Sequence, residues 1–257
     1  MLRFAVLCAV LAAAATAAPS KTELAAAVGE RLKLCGRSRS DYNECMKERL
    51  EQLLPELAET GIPEVGVPRG EPTEIPEMTV HYRNGNMSAD LRIRNSRTWG
   101  AAGLKIRSVK SIVNDPEVFR FEVGYYMPRI FTEGDYKVDA RLVVPIITKG
   151  YYNITMTDVT GVWEVTGEHY KKRGQDFVRI TSFKMLPEVG DMRIYASNLV
   201  PGNPELSEYL LALANQYWLP LYEQLLPDTN EAWGQIVVER MNRVFNKVPF
   251  DAMFPLE

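Results

Sequence analysis

The sequence predicts an α+β protein: a strongly curved antiparallel β-sheet wrapped around a long C-terminal α-helix, with a short N-terminal helical segment. Two changes of period predict it. Apolar residues recur every three to four positions before Gly61, every two positions from about residue 75 to 198, and every three to four again from Leu206, with Gly and Pro at the borders. An antiparallel meander of that length has one apolar face, and the helical stripe after it is the element available to cover that face.

The chain opens on MLRFAVLCAVLAAAATAAPS, one Arg followed by a short apolar run and the small-residue pattern Ala15-Thr16-Ala17. This order reads as a secretory signal peptide, residues 1–17. The apolar run from Phe4 to Ala18 is short for a membrane span and lacks basic stop-transfer residues, so no integral membrane segment is expected after cleavage. Residues 18–257 read as one secreted, extracellular domain, because no Gly/Ser-rich or Pro-rich linker divides them and the composition, 46% hydrophobic and 25% charged, suits a sizeable core. Cleavage discards Cys8 and leaves Cys35 and Cys45 as a pair in an oxidising compartment, where a disulfide is expected. Closing so short a loop contributes about 2–3 kcal/mol in the chain-entropy picture, enough to staple a corner. The spacing is not CxxC and two thiols are too few for zinc, so neither redox chemistry nor a metal is expected there.

Asp41 and Glu44 predict a capping box, after which Met46, Leu50, Leu53, Leu54 and Leu57 share a helix face until Gly61 and Pro63. Pro55 lies inside this pattern and is expected to kink the helix or end it early. The strands follow. Met87, Ala89, Leu91 and Ile93 alternate with polar residues after the hairpin signal Asn84-Gly85. Phe119, Phe121, Val123 and Tyr125 continue the alternation, then Tyr136, Val138, Ala140, Leu142 and Val144, then Tyr152, Ile154 and Met156. Trp163 with Val165, the segment FVRITSF, and Met192, Ile194 and Ala196 carry it less cleanly, and Lys171-Lys172-Arg173 reads as a hairpin tip. Asn203-Pro204 is a good helix start, and Leu206, Leu210, Leu213, Tyr217, Leu221 and Leu225 follow at steps of three and four. Trp233, Ile236, Val237, Met241, Val244 and Phe245 resume the stripe after Pro227; Pro220 and Pro227 allow one bent helix or two in line.

Composition and motifs narrow the function. With 30 basic against 33 acidic residues and no basic cluster beyond the hairpin tip, nucleic acid is not an expected partner. There is no GxSxG and no HExxH, and His81 and His169 are the only histidines, each read as structural or solvated. No enzyme activity, cofactor or metal is therefore expected. A wrapped helix can instead leave an elongated apolar space, and the candidates to line it are the inward strand residues Leu91, Ile93, Phe119, Phe121, Tyr125, Tyr136, Val138, Leu142, Ile154, Met156 and Trp163. From the helical stripe come Leu210, Leu213, Tyr217, Trp218, Trp233, Ile236 and Val237. Every one of these is also an ordinary core candidate. Tyr125, Tyr136, Tyr217 and Trp218 add a polar tip that suits a ligand head group. Asn86 and Asn153 head the sequons Asn-Met-Ser and Asn-Ile-Thr and are the glycosylation candidates.

Several stretches carry a resemblance. CGRSRSDYNEC with the following helix and GIPEVGVP, the pair around GLKIRSVK, YMPRIFTEGDYKVDARLVVPI, LVPGNPELSEYLLALANQYW and VFNKVPFDAMFP, in that order, resemble the insect juvenile hormone binding protein and takeout family from about residue 30 onward. The resemblance implies a tubular lipid-binding fold, a disulfide between the two N-terminal cysteines, and a haemolymph carrier that holds a small hydrophobic ligand such as a terpenoid, quinone or fatty acyl molecule. The hormone-binding branch carries a further disulfide for which no cysteines remain here, so the likeness is to the takeout-like branch. A monomer is expected, with an unidentified receptor as a further partner. The gate for ligand exchange is expected at an end of the sheet or between Pro220 and Pro227. The competing class is a secreted interaction module with a solid core.

Overall fold

The computed structural model describes residues 21–32, 34–84, 87–141 and 145–257. Residues 1–17, read as a signal peptide, and Asn86 and Leu142 lie outside the described residues. Two helices come first, α1 (Lys21–Leu32) and α2 (Tyr42–Thr60). The sequence reading had only the second. The capping box is not formed: Asp41 makes no side-chain cap, because the Arg39 guanidinium grips both its oxygens at 2.8 and 2.7 Å. Glu44 turns to Lys47 instead, at 3.0 Å. These charge-assisted bonds are stronger than the bond to a neutral backbone N–H that capping offers. Pro55 neither ends nor shortens α2, which is anchored on both sides of it by buried Leu53 and Ala58.

The sheet has seven strands: β1 (Thr73–Asn84), β2 (Met87–Trp99), β3 (Lys105–Ile112), β4 (Phe119–Arg141), β5 (Pro145–Lys172), β6 (Gln175–Glu188) and β7 (Asp191–Ala196). The order is β1-β2-β4-β5-β6, all antiparallel, with β3 paired to the first half of β4 and β7 to the first half of β5. Arg173 and Gly174 both have positive φ between β5 and β6, the conformation that a two-residue hairpin turn demands. Several strands change which parity faces inward. Inward residues are odd in β4 up to Tyr125 and even from Ile130, and the switch falls opposite Asp158, which has φ +52°. In β2 the same switch falls at Asn95, φ +51°, between Ile93 and Ser96. Such bulges sharpen twist and curl the sheet into a half-barrel.

Three helices complete the chain: α3 (Pro204–Gln216), α4 (Trp218–Phe245) and α5 (Phe250–Met253). Asn203 caps α3 by accepting from the Leu206 N–H at 3.0 Å. The long helix breaks at Tyr217 rather than at either proline. Pro220 sits in the first turn of α4, where its missing N–H costs nothing, and α4 runs on through Pro227.

The free edge of β6 and β7 is closed by side chains of α3 and α4. Asn215 accepts from the Ile194 N–H at 2.8 Å and donates to the Ile194 carbonyl at 2.7 Å. Asn242 does the same at Ile180, 2.9 Å each way. Asn230 accepts from the Met185 N–H at 3.0 Å and donates to its carbonyl. A primary amide presents an acceptor and a donor side by side, as a neighbouring strand would, so each asparagine satisfies one edge residue completely. Between two of these clips Gly234 lies so close to β6 that a Cβ would stand 2.7 Å from the Phe183 carbonyl. Across the half-barrel, α4 meets β1 through Ala232, Trp233 and Ile236 packed on Ile75, Met78 and Val80.

Candidate ligand-binding interior

The concave face has two unlike halves. In the half bounded by α1, α2 and α5, Phe119 packs edge-on against Phe245, Phe250, Phe254 and His169, with Phe121 beside it. Phe119 is 1% exposed. This end is filled with protein, and Phe119 and Phe121 belong to that plug. His169 is buried in it, whereas His81 is exposed on β1 with Asp90 at 2.8 Å.

Beyond the plug, Tyr125 stacks on Trp163 at 4.5 Å between centroids. Burial pushes the Tyr125 phenol up to about 12, with nearby Tyr222 of α4 adding to it, and burial does the same to Tyr222. Farther along, the inner face mixes buried and half-buried residues. Met78, Ile93 and Tyr136 lie in one cross-strand row, and Val80, Leu91, Val138 and Thr148 in the next. Leu91, Ile93, Val138, Ile154, Met156 and Trp163 face inward yet are only half-buried.

Two tyrosines lie flat across glycines here. A Cβ on Gly134 would meet the Tyr152 ring at 3.1 Å, and one on Gly150 the Tyr136 ring at 3.0 Å. Each ring is thereby aimed along the wall. The Tyr136 hydroxyl donates to the Ser197 carbonyl at 2.7 Å, and the Tyr152 hydroxyl reaches buried Ser96 at 2.9 Å. Ser96, Thr132, Tyr152 and Tyr222 were absent from the sequence-based candidates. Tyr152 sat in the alternation that would have found it, but a lone Ser or Thr on an apolar face carries no periodic signal.

The helices supply the remaining wall. On α4, Trp233 and Val237 each precede a residue of the edge-facing stripe, Gly234 and Val238, and so point about 100° away from it. Trp233 and Ile236 pack toward β1. On α3, Leu206 and Leu210 stand in the same relation to Ser207 and Leu211, on a stripe that ends at Asn215. Leu213 and Tyr217 fall on that side too. Leu213 and Trp218 are half-buried, while Leu210 is 39% and Tyr217 54% exposed. Asn153 is half-buried on the outer face, opposite Glu133 and Tyr195. Among the described residues no cluster of three metal-ligating side chains occurs, and no helix is long and apolar enough to cross a membrane.

Comparison with known proteins bears on this architecture. The family model for haemolymph juvenile hormone binding protein matches residues 6–255. The chain belongs to this family. The circadian clock-controlled protein daywake of Drosophila yakuba is 26% identical over 205 residues, 77% of this chain and 78% of that protein. A Schistocerca gregaria protein described as "Putative beta-carotene-binding protein" is 24% identical over 221 residues, 85% of this chain and 86% of its own. The crystal structure of Epiphyas postvittana Takeout 1 has a TM-score of 0.67 at 22% identity, covering 83% of this chain and 96% of that one. At this identity the likeness is one of fold, a curled antiparallel half-barrel with C-terminal helices.

Proposed function

We propose that this chain is a secreted, non-catalytic carrier that holds one small hydrophobic molecule between the open half of the sheet and the α3–α4 wall. The observation that carries the reading is the half-burial of inward-facing Leu91, Ile93, Val138, Ile154 and Met156, beside a plug in which Phe119 is sealed completely. Apolar side chains that point into a fold and stay partly accessible border open space, and that space is bounded at one end by aromatic rings. Leu213, Trp218, Trp233, Ile236 and Val237 form its helical wall, and Leu210 and Tyr217 lie at its mouth. Membership of a binding-protein family supports the same reading. Residues 1–17 direct secretion, and residues 18–257 form the single lipid-binding domain.

Burying a dozen methylenes yields about 10 kcal/mol gross at roughly 0.8 kcal/mol each, so submicromolar affinity survives the cost of immobilising the ligand. Selectivity then follows length and polar placement. The test is organic extraction of protein secreted from insect cells, analysed by mass spectrometry beside native-mass analysis of the intact chain. One stoichiometric apolar molecule is the expected result. A chain that emerges empty and takes up no terpenoid, quinone or fatty acid would instead be a surface-acting module.

A further inference from the structure

Asn153 stands in the middle of an exposed aromatic patch on the convex face of the sheet. In β5 it pairs across to Glu133 of β4 on one side and to Tyr195 of β7 on the other. Tyr152 points inward and is buried, so Tyr151, Asn153 and Thr155 share the outer face. Tyr151 is 38% and Tyr195 46% exposed, and their ring centroids lie 6.3 Å apart. The Asn153 side chain lies beside the Tyr151 phenol, whose hydroxyl donates to Glu133 at 2.8 Å.

Two adjacent rings left open on a sheet face invite an occupant, and their neighbours limit its chemistry. Glu133 is paired with Arg97 at 2.5 Å, and Arg193, registered opposite Thr155, is exposed beside Asp191 at 3.6 Å. An apolar protein face laid here would strip water from these charges, which is costly. A pyranose would not. Its C–H face rests on an aromatic ring while its hydroxyls stay in water or meet carboxylate and guanidinium. The sequence places an attachment point for one in the centre of the patch, because Asn153-Ile154-Thr155 is an N-glycosylation sequon. The period of two puts the ring at 151, the acceptor amide at 153 and the sequon hydroxyl at 155 on one side, with Tyr195 abreast of the acceptor.

We propose that Asn153 carries an N-linked glycan whose first N-acetylhexosamine lies on the Tyr195 and Tyr151 rings. The inference rests on the secretory route of the carrier reading and concerns the face turned away from the ligand space. Transfer takes place on the extended chain, before β5 pairs, so half-burial in the finished sheet is no obstacle. The Asn153 amide nitrogen bonds to the anomeric carbon of a lipid diphosphate-linked oligosaccharide; the anomeric C–O bond breaks, the lipid diphosphate leaves, and the amide gives up one proton. Folding then brings Tyr195 of β7 beneath the sugar.

The test uses the full chain secreted from insect cells. A peptide N-glycosidase in heavy-oxygen water converts a glycosylated asparagine to labelled aspartate, and peptide mass spectrometry is expected to find that label at Asn153. Hydroxyl-radical footprinting of the native protein is expected to show Tyr195 and Tyr151 oxidised faster once the enzyme has removed the glycan. Removal is also expected to lower the Tm by about 2 °C in the wild type and by less than about 0.5 °C in Tyr195→Ala, which keeps the sequon. Secreted protein in which Asn153 stays unlabelled would overturn the proposal and leave the carrier reading standing. A labelled Asn153 with both tyrosines equally oxidised in the two forms would overturn the aromatic seat, and this comparison needs no variant to fold. A chain that never enters the secretory lumen would bring down the secretory route and this proposal together.

Discussion

Tyr125 and Tyr222 show what a single buried phenol does to the molecule. Both are raised in the folded chain, to about 12, chiefly by burial, from an ordinary value of 10.0. Below pH 10 neither contributes, because both are protonated whether the chain is folded or not. Above it the unfolded chain loses protons that the folded chain keeps, so stability falls as pH rises from 10 toward about 12. Thermal melts across that window are expected to show the decline, and Tyr125→Phe or Tyr222→Phe to flatten it; an identical slope in both variants would refute the assignment. The cysteines act at this scale as well. The bond between Cys35 and Cys45 secures the loop on which the C-terminus docks: Arg37 N–H donates to the Pro255 carbonyl at 2.8 Å, and its guanidinium pairs with Asp251 at 2.8 Å. Reduction is expected to cost about 2–3 kcal/mol and lower the melting temperature, with the order of ligand preference unchanged. An unchanged melting temperature after full reduction would contradict this.

At the scale of elements, the join between helix and sheet depends on three asparagines that no periodic pattern marks. Leu and Val stripes announce that α4 is amphipathic, but not which strand edge it will lie along. Asn230 and Asn242 decide that, with Gly234 between them to let the backbones approach. Replacing either asparagine by alanine leaves an edge N–H and C=O partly buried and unmet, and is expected to cost about 1–3 kcal/mol. Denaturant unfolding of Asn230→Ala, Asn242→Ala and the pair measures it. Losses below about 0.5 kcal/mol in both single variants, the scale of ordinary surface changes, would mean that water replaces the amides. The same reasoning explains the helix break. Prolines at 220 and 227 were the visible breakers, yet one falls in a first turn and the other is tolerated within α4. The chain bends at Tyr217, whose ψ of 34° departs from helix geometry.

The whole molecule has two different seams along α4. On the β6 and β7 side, helix and sheet exchange paired hydrogen bonds. On the β1 side, apolar contacts are joined by an Arg240 guanidinium that donates to the Glu74 carbonyl at 2.5 Å. A groove of about 460 Å³ lies on that seam, between Met78, Thr79 and His81 of β1 and Asp228, Glu231 and Gln235 of α4. Apolar contacts part and re-form without strict geometry, whereas the asparagine clips must break outright. On the carrier reading proposed above, opening for ligand exchange is expected at the β1 seam. Hydrogen exchange is expected to be faster in β1 than in β6 without ligand, and to slow in β1 when ligand is bound. Equal protection of both strands under both conditions would exclude this gate.

The sequence by itself determined the class of most elements, α1 excepted, and the face that each regular stretch between bulges would bury. Period-two and period-3.6 patterns are local consequences of strand and helix geometry, so Phe119, Tyr136 and Trp233 declared their sides without any knowledge of their neighbours. The pairing of Cys35 with Cys45 followed from reading Cys8 as part of a cleaved signal peptide. Only the tertiary structure decided which inward residues are sealed and which border open space, because that depends on whether distant elements such as α5 arrive to fill it. It also brought Ser96, Thr132 and Tyr152 into one chain from three strands. Hydrogen bonds across strands depend on register and bulges, and register is a property of pairs of segments that no single segment encodes.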